Sequence, residues 1–87
     1  MHKFEPMRRV SGRNDLEGAL ARLGDAIRSQ RLELGISQEA LADEASVDRS
    51  HLGKIERGER NVTLLNVLKI ARALNMKASD LLGNAGL

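Results

Sequence analysis

Apolar positions recur at helical intervals nearly from end to end of this chain, and no stretch alternates for long enough to make a useful strand. Leu16, Leu20, Leu23, Ile27 and Leu34 stand at spacings of four, three, four and seven, one apolar stripe over about five turns. Asp15 stands at the cap of this first helix, and Gly35 supplies the left-handed residue that ends it. A second helix is predicted from Gln38 to Ala45, capped by Ser37, with Glu39 in the first turn where the helix dipole favours an anion. Only Ser46 and Val47 follow before Asp48 caps a third helix, Arg49 to Arg57, closed by Gly58. After a loop, Glu59-Arg60-Asn61-Val62, Thr63 caps a fourth helix through Leu74, apolar at 64, 65, 67, 68, 70, 71 and 74. A face that wide implies burial on two sides. A short fifth helix, about Ser79 to Leu82, ends at Gly83.

Five short helices with brief turns predict an all-α, compact five-helix domain over residues 15–83, with a tail at 84–87. The two-residue link between helices two and three forces them to cross steeply. Residues 1–14 lack an apolar period and hold Pro6, Gly12, Arg8, Arg9 and Arg13; they read as a flexible basic arm or as a plain disordered terminus.

Composition narrows the function classes. Eighty-seven residues suffice for one modest core and leave no room for a cleft between domains. The absence of cysteine removes a disulfide scaffold, a thiolate zinc site and a cysteine nucleophile together. Phe4 is the only aromatic residue, which disfavours single-strand and RNA binders that stack bases on aromatic platforms. The longest apolar run is three residues, Ala19-Leu20-Ala21, so no membrane partner is expected, and residues 1–10 lack the apolar core of a signal peptide. The expected location is cytoplasmic and nucleoid-associated. Two scattered histidines, His2 and His51, make a poor metal set, and no glycine-rich phosphate loop is present, so neither metal nor cofactor is expected. Asp48, Ser50 and His51 do not form a triad, because helical neighbours do not face one another; an enzyme is not expected.

The net charge of +2 is small, but its distribution is not even. Residues 15–47 carry net −4 and residues 48–62 net +1, and ten of the fourteen basic residues are arginine. Arginine is shaped for bidentate contact with phosphate or guanine. On a helical wheel, Arg49, Gly53, Arg57, Ser50 and Lys54 share an arc of about 140°, with Leu52 and Ile55 on the far side. Gly53 lies within the charged arc, and its missing side chain fits a helix pressed against a grooved partner better than packing on the core. The major groove of DNA admits such a helix. Arg49 and Ser50 are placed for base edges and Lys54 for bases or phosphate. Arg57, Arg60 and Asn61, where helix and loop leave the groove, are candidate phosphate contacts, as is Gln38 at a helix N-terminus.

The stretch SQEALADEASVDRSHLGKIERGERN, with IRSQRLELG before it and TLLNVLKIARALN after it, resembles the phage-repressor/Cro-like (XRE-type) helix-turn-helix family over about residues 20–82. The run DRSHLGKIERGERNVTLLNVLKIA is also similar to the small controller proteins of restriction–modification systems. The resemblance implies a lambda-repressor-like five-helix domain that regulates transcription as a homodimer on a near-palindromic operator of double-stranded DNA. It implies Arg49, Ser50 and Lys54 over the bases, Gln38 on a phosphate, and Arg31 paired with Glu56 to link helix one to the recognition helix. It also gives Ala42 the role of a small residue at the helix crossing. Ser46 departs from the glycine usual in the turn, at a cost of roughly 1 kcal/mol if the backbone there is left-handed. Two alternatives stay open: an antitoxin that binds DNA and a toxin, and a protein-interaction module without DNA binding. No small-molecule effector is evident. Dimerisation is expected from the breadth of helix four, with Met76, Leu81, Leu82 and Leu87 adding apolar surface.

Overall fold

The computed structural model describes residues 16–87, and the basic segment 1–14 and the Asp15 cap lie outside the described residues. A single 3-10 turn, Leu16–Gly18, leads into α1 (Ala19–Glu33), followed by α2 (Gln38–Ala45), α3 (Arg49–Glu56), α4 (Leu64–Ala73) and α5 (Ala78–Asn84). There is no strand among the described residues.

The start of α1 differs from the sequence reading. Glu17 and Gly18 are both left-handed, so the chain kinks and the helix proper begins only at Ala19. Leu16 is therefore 77% exposed instead of joining the apolar stripe. Leu34 also leaves the stripe: it caps α1 and is 40% exposed. α5 is longer than expected, because Gly83 continues the helix and the left-handed stop falls at Gly86. Ala85 is accordingly buried.

The caps of α2, α3 and α4 follow the pattern of short polar side chains, whereas α5 starts after Lys77 with no side-chain cap. Ser37 Oγ accepts from the Ala40 N–H at 3.0 Å, Asp48 Oδ2 from His51 at 3.1 Å and Thr63 Oγ1 from Asn66 at 3.1 Å. Each satisfies one otherwise orphaned donor of a helix start. All five helices end alike: a left-handed residue reverses the chain, and the next N–H returns to a carbonyl five residues back. That residue is glycine after α1, α3 and α5, Ser46 after α2 and Asn75 after α4.

α2 packs on α4, α1 on α3 and α5, and α2 against α3 across the short turn. Ile27, Leu41, Leu52, Ile55, Ile70, Leu74 and Leu81 are completely buried where these helices meet. Two glycines let α1 press against the C-terminal end of α3. A Cβ at Gly24 would collide with the carbonyls of Ile55 and Glu56, and one at Gly58 would lie 2.8 Å from Ala21 Cα. The far end of α3 is thus clamped, and its first turn, with Arg49 and Ser50, projects into solvent.

Candidate nucleic-acid interface

The face is built on a buried ion pair. Arg31 Nε donates to Glu56 Oε2 at 2.8 Å and its Nη2 to Oε1 at 3.1 Å, with side-chain exposures of only 9% and 2%. Arg31 Nη1 also donates to the Ile36 carbonyl at 3.1 Å, and Gln38 Nε2 donates to Glu56 Oε1 at 3.0 Å. The Glu56 carboxylate therefore ties α3 to the end of α1 and the start of α2, and Arg31 holds the link between those two helices. Two charges out of water are tolerated only when so fully hydrogen-bonded.

Upon this base α3 turns a cationic side outward. Arg49 and Ser50 are exposed on its first turn and Lys54 is half-buried one turn on. Arg57, Arg60 and Asn61 are exposed around the chain reversal at Gly58. Gln38 is half-buried, its amide lying across α3 to Glu56. The N–H groups of Gln38 and Glu39 belong to the unpaired first turn of α2, a natural seat for an anion.

Gly53 corrects the wheel. It is buried, and the place of its absent Cβ is 3.4 Å from Arg57 Nη1 and 3.5 Å from Gln38 Oε1. Its bare surface serves as a floor for two polar side chains of the same molecule, so in the free protein it is covered by Arg57 and Gln38 and not open to solvent. Reading α3 alone missed this, because the wheel carries no information about α2. The sequence reading also missed Glu59, which pairs with Arg57, and Gly24, whose place inside an apolar helix was the available signal of a close approach. The Asp48 carboxylate accepts from the His51 N–H as the N-cap of α3. No group of acidic or histidine side chains suited to a metal occurs among the described residues.

The model of a helix-turn-helix family matches residues 27–81, more than half of the chain. The chain belongs to the helix-turn-helix family. It is 42% identical over 65 residues to the control protein C.SmaI of Serratia marcescens, covering 75% of this chain and 77% of that protein. It is 45% identical over 60 residues to the control protein C.BamHI of Bacillus amyloliquefaciens, covering 68% and 74%. Among solved structures, the restriction-modification controller protein C.AhdI of Aeromonas hydrophila superposes with a TM-score of 0.70 at 45% identity, covering 71% of this chain and 94% of that one. In helix-turn-helix terms α2 and α3 are the two motif helices, joined by Ser46-Val47-Asp48, and α3 is the recognition helix. The all-α five-helix fold of the sequence reading is the fold found.

Proposed function

We propose that this helix-turn-helix protein is a sequence-specific regulator of transcription that binds double-stranded DNA as a homodimer on a near-palindromic operator, in the manner of an autoregulatory controller. The observation that carries the reading is the exposed cationic side of α3, held rigidly from behind by Arg31 and Glu56. In this reading Arg49, Ser50 and Lys54 meet base edges in the major groove. Gln38, Arg57, Arg60 and Asn61 meet the phosphate backbone. The kinship with control proteins supports it, and the antitoxin alternative is not favoured, since the relatives are named as control proteins and transcription regulators.

A homodimer accords with the leucines that α4 leaves bare: Leu64, Leu65 and Leu68 are 70%, 63% and 46% exposed. Of the other apolar residues expected to widen this surface, Leu81 is completely buried and belongs to the core. A two-fold dimer would set two recognition helices about 34–36 Å apart, one turn of the duplex. The role is that of a binding protein and not an enzyme, working in the cytoplasm beside the chromosome, and no helix among the described residues is long and apolar enough to cross a membrane.

Selection of bound sequences from a random duplex library tests this directly. Enrichment of one site with two related halves is the expected result. On that site Arg49→Ala should cost about 1–3 kcal/mol and relax preference at one base pair per half-site. Equal losses on the selected site and on random duplex would reassign Arg49 to the phosphate backbone.

A further inference from the structure

The turn after α3 sets a carboxylate inside the cationic face. Glu59 Oε2 accepts from Arg57 Nε at 3.1 Å and Oε1 from Arg57 Nη2 at 3.3 Å. The meeting is imposed by the backbone. Gly58, at φ +74°, reverses the chain, and the Glu59 N–H returns to the Lys54 carbonyl at 2.9 Å, which folds Glu59 back alongside α3. Arg57 lies back over α3 in its turn, with Nη1 against the open surface of Gly53 beside the Gln38 amide. The guanidinium thus rests where a side chain is missing, and the carboxylate holds two of its other nitrogens. The hydrogen bond from Arg57, and the charges of Arg57, Lys54 and Arg60, keep the Glu59 carboxyl below its ordinary range. It is anionic throughout neutral pH.

A two-oxygen anion gripping an arginine in this way has the chemistry of a backbone phosphate. We infer that Glu59 is an intramolecular stand-in for a DNA phosphate, which parks Arg57 over Gly53 in the free protein and gives it up when a duplex docks. The inference rests on the DNA-binding reading and deepens it, because it assigns Glu59 a part in setting affinity. Docking exchanges one ion pair for another. Arriving with its carboxylate beside it, Arg57 brings almost no net charge to the backbone. An unpaired arginine would bring one full charge and release about one ion from the duplex.

The test is the salt dependence of binding to a random-sequence duplex, for the native chain, Glu59→Gln, Arg57→Ala and the double variant. Glutamine keeps the size and removes the charge. Glu59→Gln should bind about two- to fivefold more tightly at low salt, since exposed ion pairs are weak. Its plot of log K against log salt should be steeper by about one. On the Arg57→Ala background the same substitution should do neither. A merely structural role for Glu59 would move the melting temperature and leave the slope alone. Native-like affinity and slope in Glu59→Gln would overturn the inference while the DNA-binding reading stood. An equal gain with and without Arg57 would overturn it too, since the carboxylate would then repel DNA without holding Arg57. Failure of all four proteins to bind any duplex would remove both the reading and the inference.

Discussion

Ser46 is the residue at which local conformation and residue type disagree. Its φ and ψ of 57° and 44° are left-handed, where a Cβ crowds the following carbonyl. Three of the other helix ends use glycine there and one uses Asn75, whose short amide tolerates this region. Ser46 alone brings a β-hydroxyl, in the turn that sets the crossing of α2 and α3. Ser46→Gly is therefore expected to stabilise the fold by about 1 kcal/mol, less whatever glycine adds to the entropy of the unfolded chain. For a domain of this size a full 1 kcal/mol would raise the melting temperature by about 4–8 °C, so the net rise is smaller than that, readable by circular dichroism. A melting temperature that falls would mean that the serine hydroxyl supports the turn. The conformational demand was legible in the sequence, since the residue departs from the pattern of the family it resembles. That the strain is accepted and not relieved by a different turn was not legible, because α2 and α3 must both bury Leu41, Ala45, Leu52 and Ile55.

Among elements, the Arg31, Glu56 and Gln38 cluster decides how α3 stands relative to α1 and α2. Arg31→Ala should lower stability by about 3–5 kcal/mol, because the Glu56 carboxylate would stay buried with only Gln38 donating to it. Replacing both charges together, Arg31→Met with Glu56→Leu, should cost less than the single change, since no buried charge is then left alone. Chemical denaturation of the two variants checks this, and equal losses would mean that the pair acts only through packing. Here too the legible and the illegible divide by range. Ser37, Asp48 and Thr63 were readable as caps because a cap is a contact across three residues. The α2 bounds, Gln38 and Ala45, fell where cap and period placed them. Gln38 reaching Glu56 was not readable, for it joins residues 18 apart on different helices. The kink at Glu17 and Gly18 was not readable because Leu16 continues the apolar spacing although it lies outside the core.

At the scale of the whole molecule, α4 has one face too many. Val67, Ile70 and Ala71 are buried in the core, while Leu64, Leu65 and Leu68 face outward. Leu65 and Leu68 border a shallow groove with Glu44, Ala45, Ser46, Lys69 and Arg72, so the apolar strip is rimmed by both charges. Such a strip suits a self-complementary contact, in which Glu44 of one copy can approach a basic rim residue of the other across a two-fold axis. Burial of each half-exposed leucine is worth about 1–2 kcal/mol, and a two-fold axis counts each twice. If the proposed dimer forms through this strip, Leu65→Asp with Leu68→Asp should remove about 4 kcal/mol or more of association, a weakening of about a thousandfold. Neither side chain belongs to the core, so the melting temperature of the monomer should change little. Sedimentation should then find monomers at concentrations where the native chain pairs. Binding to an operator with two half-sites should collapse toward that of a single half-site, because one recognition helix no longer brings the other with it. Dimers that persist in the double variant would move the interface off α4, to the surface around Leu87 or Leu32, which are also bare.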